Sequence, residues 1–210
     1  IASYPKSGNT WMRSILTGLL YSKDGNFDFK MLKKIDQFEK DEHFDFVKSI
    51  NTDDYSNLHK MDIISKYWSK SQENIVGNDK FFFKTHSANY KHKDLRFINI
   101  NKTAGGVYLI RDPRDVAISY SRFIGKSVDE TIEFMLNSKR QIYNQKKTLG
   151  IILSRWDYHV ASWMNADFPI LILKYEDLLS DSKKKLLELT NFLKSINITF
   201  NIDNKKINNI

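Results

Sequence analysis

Apolar positions along the chain fall into short runs, each followed by a polar turn and then a helical stripe. Ile1 to Tyr4 reads as the end of a strand and leads into a Pro-Lys-Ser-Gly turn. Beyond it, Met12, Ile15, Leu16, Leu19 and Leu20 share one face at helical spacing and predict an amphipathic helix. Phe81 to Phe83 predict a second strand running into Lys84-Thr85-His86. Val107 to Ile110 predict a third, running into Arg111. Its helix is well marked: Asp112 can cap it, Pro113 takes the first helical position and Asp115 follows three residues after the cap. Val116, Tyr120 and Phe123 then lie on one side. Ile170 to Leu173 predict a fourth strand, ending at Lys174-Tyr175-Glu176-Asp177. A Lys-rich helix from about Ser182 follows, with Leu186, Leu189 and Leu193 as its stripe.

Short apolar strands alternating with amphipathic helices define an α/β fold of three layers, α/β/α, with a mostly parallel central sheet. Ligands in such folds bind beyond the carboxyl ends of the strands, and the distinctive polar residues here all fall at those ends. The segment 24–78, rich in Phe, Lys and Asp, reads as helices and loops covering the sheet edge. The stretch 196–210, rich in Asn and Lys with weak periodicity, is expected at the surface. No repeat, linker or boundary divides the chain, so residues 1–210 are expected to form a single domain.

Composition changes this picture little. The 210 residues are 41% hydrophobic and 28% charged, an ordinary globular mix. The formal charge of +8 favours anionic partners without choosing among nucleotides, sulfated or phosphorylated substrates, nucleic acid and anionic membrane. The absence of cysteine excludes disulfides, thiolate metal sites and thiol catalysis, and fits a reducing, cytoplasmic setting. No apolar run reaches membrane-spanning length. Because the chain opens on what reads as a strand end, further residues are expected upstream of Ile1.

The opening turn carries the first chemistry. Gly8 permits close approach of backbone to a ligand. The N–H groups of the first helical turn have no intrahelical partner and carry partial positive charge, which suits a phosphate. Lys6 adds a full charge, Ser7 and Thr10 add hydroxyls, and Trp11 can stack on a base. The lysine precedes the glycine, so this is not the G-x-x-x-x-G-K-[ST] phosphate loop. On these residues alone, a plain strand–helix turn with a surface lysine is an equal reading.

Residues 4–11, Tyr-Pro-Lys-Ser-Gly-Asn-Thr-Trp, resemble the Y-P-K-S-G-T-T-W signature of cytosolic-type sulfotransferases, which use 3′-phosphoadenosine 5′-phosphosulfate (PAPS). Asn9 stands where that family has a threonine. Residues 108–123, from Tyr108 through Arg111 and Ser119 to Phe123, resemble the family's 3′-phosphate motif. Lys84-Thr85-His86 matches its K-T-H strand end, and Trp156-x-x-His159 through Trp163 and Tyr175-Glu176-Asp177 resemble later blocks in the same order. The likeness covers roughly residues 1–194. The family's C-terminal R-K-G-type block is not in the sequence, and the segment between the first helix and Lys84 does not align.

The resemblance implies a sulfotransferase fold related to that of the P-loop NTPases. It also implies roles. Lys6, Ser7, Gly8, Asn9 and Thr10 hold the 5′-phosphosulfate end; Trp11 and Tyr175 flank the adenine; Arg111 and Ser119 bind the 3′-phosphate. His86 is the general base on an acceptor hydroxyl or amine. Near neutral pH an unperturbed imidazole is mostly neutral and able to accept a proton. Lys6 and Lys84 stabilise charge on the transferring sulfuryl group and leaving phosphate, with no metal required. The other histidines, His43, His59, His92 and His159, read as structural. An acceptor pocket is implied around Phe123, Phe27, Phe29 and Phe81, for a small molecule rather than nucleic acid or membrane. Two other classes compete: a nucleotide-dependent kinase, for which neither the metal-binding carboxylate nor the lysine placement is found, and a basic binding module, for which Lys183-Lys184-Lys185 is the best segment.

Overall fold

The computed structural model describes residues 1–75, 81–139, 141–144, 148–200 and 206. In chain order these comprise β1 (Ala2–Ser3), α1 (Asn9–Tyr21), β2 (Asp36–Gln37), four short helices α2 (Val47–Ile50), α3 (Thr52–Ser56), α4 (Met61–Ile64) and α5 (Trp68–Ile75), then β3 (Phe83–Lys84). A small hairpin of β4 (Lys91–His92) and β5 (Leu95–Arg96) precedes β6 (Gly106–Ile110), α6 (Pro113–Ile124) and α7 (Val128–Leu136). A second hairpin, β7 (Gln141–Asn144) and β8 (Thr148–Ile152), is followed by α8 (Trp156–Met164), β9 (Ile170–Lys174), α9 (Tyr175–Ser180) and α10 (Ser182–Ser195).

β1, β6 and β9 form a parallel sheet with β6 in the centre. β2 and β3 pair in parallel, and a parallel bridge between Ala2 and Thr85 sets that pair beside β1. Both faces are covered, which is why the strands read as continuous apolar runs. On one face Val107, Leu109 and Leu173 pack against Met12, Leu16 and Leu19 of α1 and Leu186, Leu189 and Leu193 of α10. On the other, Tyr108 and Ala2 pack with Trp68 of α5 and Val160 and Trp163 of α8. The period-2 alternation along β6 thus divides two cores, and the α/β/α layering follows.

Helix starts are built as the sequence predicts at α6, where the Asp112 side chain accepts from Arg114 N with Pro113 in the first turn. Three features depart from the sequence reading. The segment 24–78 contributes a strand, β2, to the sheet edge as well as helices. Phe123 stacks on Tyr120 of the stripe but is 70% exposed rather than core. Ile198 is buried in the α1/α10 core, with Ile196 and Phe200 packed against it, so residues 196–200 are not a surface stretch: three apolar side chains spaced by two reach the same cluster. Residues 201–205 and 207–210 lie outside the described part. No described helix is long and apolar enough to cross a membrane.

Candidate active site

The turn after β1 is shaped by two left-handed residues, Lys6 (φ 67°) and Gly8 (φ 99°). Ser7 N closes it on Tyr4 O at 3.3 Å. Gly8 caps α1 without any side-chain cap bond, so the amides of the first helical turn stay available. A Cβ at Gly8 would stand 2.8 Å from Cδ2 of Tyr175, which only glycine avoids. The Ser7 hydroxyl is buried and has no hydrogen-bond partner among the described residues. Thr10 is exposed at the start of the helix.

Asn9 does not face outward with them. It is buried, and its Nδ2 donates to Ser3 Oγ at 3.2 Å, which fastens the helix start to the end of β1. Its Oδ1 is buried with no partner among the described residues.

The turn after β6 meets the first turn directly. Arg111 Nη1 donates to Lys6 O at 3.0 Å, and its guanidinium lies 4.5 Å over the ring of Tyr175. Tyr175, at the end of β9, also meets Trp11 edge to face at 5.6 Å. Of the neighbouring carboxylates, Asp112 is engaged by Arg114 at 2.5 Å, while Asp115, half exposed, makes a long ion pair with Arg111 Nη2 at 3.9 Å. Arg111 Nε is buried without a partner among the described residues. Arg111 therefore keeps uncommitted donors beside the loop. Ser119 sits two turns along α6, half-buried. The Lys6 ammonium rests 4.6 Å over the Phe123 ring.

The third turn, after β3, supplies the imidazole. His86 Nδ1 lies 2.8 Å from the carbonyl of Ser3, which can only accept, so Nδ1 carries the proton and Nε2 keeps its lone pair. Burial, and then the neighbouring Lys84 charge, push the imidazole down to about 4, well below its ordinary value. His86 is accordingly neutral at physiological pH for a stronger reason than sequence alone supplies, and is a weaker base than an unperturbed histidine. Burial also lowers Lys84, with Arg13 adding to the effect and Glu39 and Asp36 opposing it. Lys6, Lys84, His86 and Arg111 thus all stand at the carboxyl ends of neighbouring strands, as the topology requires.

Three contributors escaped the sequence reading. Arg13, one turn into α1, donates to Leu32 O and Ile35 O and places a second cation near Lys84. Glu39 is buried beneath the third turn, accepting from the hydroxyls of Thr85 and Ser87. His159, buried on α8, contacts the carbonyl of His86 at 3.0 Å. Glu39 and His159 find their partners 46 and 73 residues away, a range at which a single sequence carries no pairing signal. The phenylalanines named for an acceptor pocket do not gather around His86. Phe27 and Phe29 pair with each other beyond the far end of α1. Phe81 lines a cavity of about 200 Å³ with Ile1, Phe82, Gly105, Gly106 and Phe168, residues at or before the amino ends of their strands. Phe123 alone lies beside the loop.

The arrangement is a strand–turn–helix with a lysine and an arginine at the carboxyl ends of a parallel sheet, beside an imidazole. The chain belongs to the sulfotransferase domain family, which matches residues 1–208. It is 25% identical over 208 residues to the luciferin sulfotransferase of Photinus pyralis, covering 92% of this chain and 50% of that protein. It is also 25% identical to the amine sulfotransferase of Oryctolagus cuniculus, covering 92% and 54%, and 26% identical to sulfotransferase 1B1 of Canis lupus familiaris, covering 92% and 57%. The chain spans about half the length of these relatives. Among solved structures it resembles mouse sulfotransferase SULT7A1 complexed with PAP, at a TM-score of 0.56 and 15% identity, covering 99% of this chain and 59% of that one. Retinol dehydratase in complex with androsterone and the inactive cofactor PAP gives the same TM-score at 20% identity, covering 99% and 61%. These likenesses establish the fold.

Proposed function

We propose that the chain binds PAPS across the turns after β1 and β6 and transfers its sulfuryl group to a hydroxyl or amine of a small-molecule acceptor. The observation that carries this reading is the meeting of three strand ends: Arg111 bonded to the Lys6 carbonyl, and His86 fixed on Ser3 with Nε2 left basic.

The residues fit the group. Ser7 Oγ and Arg111 Nε are buried polar atoms without partners among the described residues, a state that an anion's oxygens would relieve. Gly8 lets the Tyr175 ring close against the loop, where a Cβ would collide with it. When bound, PAPS supplies an activated sulfuryl group on a phosphate leaving group. The Lys6 charge and the amides of Gly8, Asn9 and Thr10 would hold the phosphosulfate end and offset the charge of the leaving oxygens. Arg111, with Ser119 further along α6, takes the 3′-phosphate; its planar fork suits two oxygens at once. Trp11 and Tyr175 flank the base. His86 Nε2 would take the proton of the acceptor, with Nδ1–H kept on Ser3 O, while the sulfuryl group would pass from the phosphate oxygen, whose bond to sulfur breaks, to the acceptor. Lys84, with its charge partly desolvated, stabilises the sulfuryl oxygens during an in-line transfer.

The relatives named for luciferin and for amines support an acceptor of small-molecule size. Of the basic surface, Lys185 is committed to Asp177 and Glu188, which leaves the Lys183–Lys185 run short of a continuous patch. An acceptor screen with labelled PAPS tests the reading: label should pass to a phenol, alcohol or amine with the unmutated chain, and at least about 10²-fold more slowly with His86→Ala. No transfer to any such acceptor by a folded, 3′,5′-ADP-binding protein would contradict it.

A further inference from the structure

The histidine of α8 is tied to the imidazole of the site through the backbone. His159 is fully buried. Its Nε2 lies 3.0 Å from the carbonyl of His86, which can only accept, so Nε2 carries the proton. Its Nδ1 lies 2.8 Å from the Tyr108 hydroxyl. Burial drives His159 down to about 3 and Tyr108 up, so both are neutral, and the phenol donates to Nδ1. Tyr108, at the centre of the sheet, thereby fixes which nitrogen of His159 faces His86. One helical turn on, Trp163 Nε1 donates to Ser87 O at 3.0 Å. Between them Ser162 Oγ accepts from Asn89 N, also at 3.0 Å. Side chains of α8 thus take up the backbone of residues 86, 87 and 89.

We infer that His159 is a positioning residue for the transfer reaction: locked by Tyr108, it holds the His86 backbone so that His86 Nε2 points at the acceptor. This rests on the reading of His86 as the base. A general base must sit within hydrogen-bond reach of the proton it takes, and a shift of about 1 Å can cost about 10²-fold in rate. Ser3 fixes only the ring; the carbonyl contact fixes the backbone from which the ring hangs.

The test is a double-mutant cycle on turnover with PAPS and a transferable acceptor. His159→Phe keeps the ring and removes the donor. It should lower kcat by about ten- to a hundredfold, while the KM for PAPS and the affinity for 3′,5′-ADP stay within a few-fold. In a His86→Ala background the same substitution should cost nothing further, because a residue acting through His86 has nothing left to position. His159→Gln, which retains a donor, should recover most of kcat. Tyr108→Phe runs the same cycle with a milder cavity change, and keeps the test open should His159→Phe fail to fold. An equal loss of turnover in both backgrounds, or full kcat in a folded His159→Phe protein beside an impaired His86→Ala, would overturn the inference. Full turnover in His86→Ala itself would instead remove the base on which it rests.

Discussion

Arg111 donates to the Lys6 carbonyl at 3.0 Å, and that one bond joins the two turns on which a doubly phosphorylated nucleotide would lie. It explains how a lysine comes to sit in the left-handed region at φ 67°, a conformation that costs a non-glycine residue about 1 kcal/mol or more. The carbonyl is turned towards a guanidinium that satisfies it, while the following amide, Ser7 N, closes the turn on Tyr4 O.

Arg111→Ala should therefore act on two links at once. Loss of a charged hydrogen bond to a ligand costs about 1.5–3 kcal/mol, so 3′,5′-ADP affinity should fall by roughly ten- to a hundredfold in isothermal titration. Affinity for AMP, which lacks the 3′-phosphate, should fall much less. Equal losses for the two nucleotides would place Arg111 in loop support alone.

Gly8→Ala tests the close approach of Tyr175. The added methyl would meet the ring at 2.8 Å while the backbone holds φ at 99°. Overpacking of this kind costs about 1–3 kcal/mol, which should lower Tm by several degrees. Because Tyr175 also lies under Arg111 and against Trp11, nucleotide binding should weaken too. A variant with unchanged Tm and affinity would show that the ring moves aside freely.

The imidazole environment sets a pH profile. With His86 pushed down to about 4, kcat/KM should stay flat from about pH 7.5 to 5.5 on its acidic side and fall only near pH 4, rather than near the ordinary histidine value of about 6.5. A half-maximal point at pH 6.5 would mean that His86 is solvated during turnover.

Stability carries the same signature with a definite sign. His86 and His159 are held at about 4 and about 3 in the folded chain, while the unfolded chain titrates near 6.5. As pH falls below 6.5 the unfolded state takes up protons that the folded state refuses, so stability declines until both folded values are passed. Urea melts between pH 7 and 4 should show this slope, and His159→Gln should make it shallower. Equal slopes would contradict the burial of a neutral His159.

The parts of this account that were legible in the sequence are those written locally. The Asp112-Pro113 helix start, the leucine stripe of α10 and the glycine turn before α1 each depend on neighbours within a few residues, and each is built as read. The K-T-H strand end was legible as chemistry, but not the depth of burial that lowers its histidine. β2 was missed because two residues, Asp36 and Gln37, show no alternation, and their strand exists through pairing with Phe83 and Lys84. Asn9 illustrates the same limit. Its residue type suited a phosphate loop, yet its Nδ2 is bonded to Ser3, a contact that only the fold reveals.

On the proposed function, Lys6, Arg111 and their turns form a site for a nucleotide bearing phosphates at both the 3′ and 5′ positions. Thermal denaturation with 3′,5′-ADP, AMP and Mg-ATP at equal concentration tests it most directly. At about 100 times the dissociation constant, 3′,5′-ADP should stabilise the protein by about 2.7 kcal/mol, with a clear rise in Tm, while AMP and Mg-ATP give little. Stabilisation by Mg-ATP without 3′,5′-ADP, or equal stabilisation by 3′,5′-ADP and AMP, would contradict it.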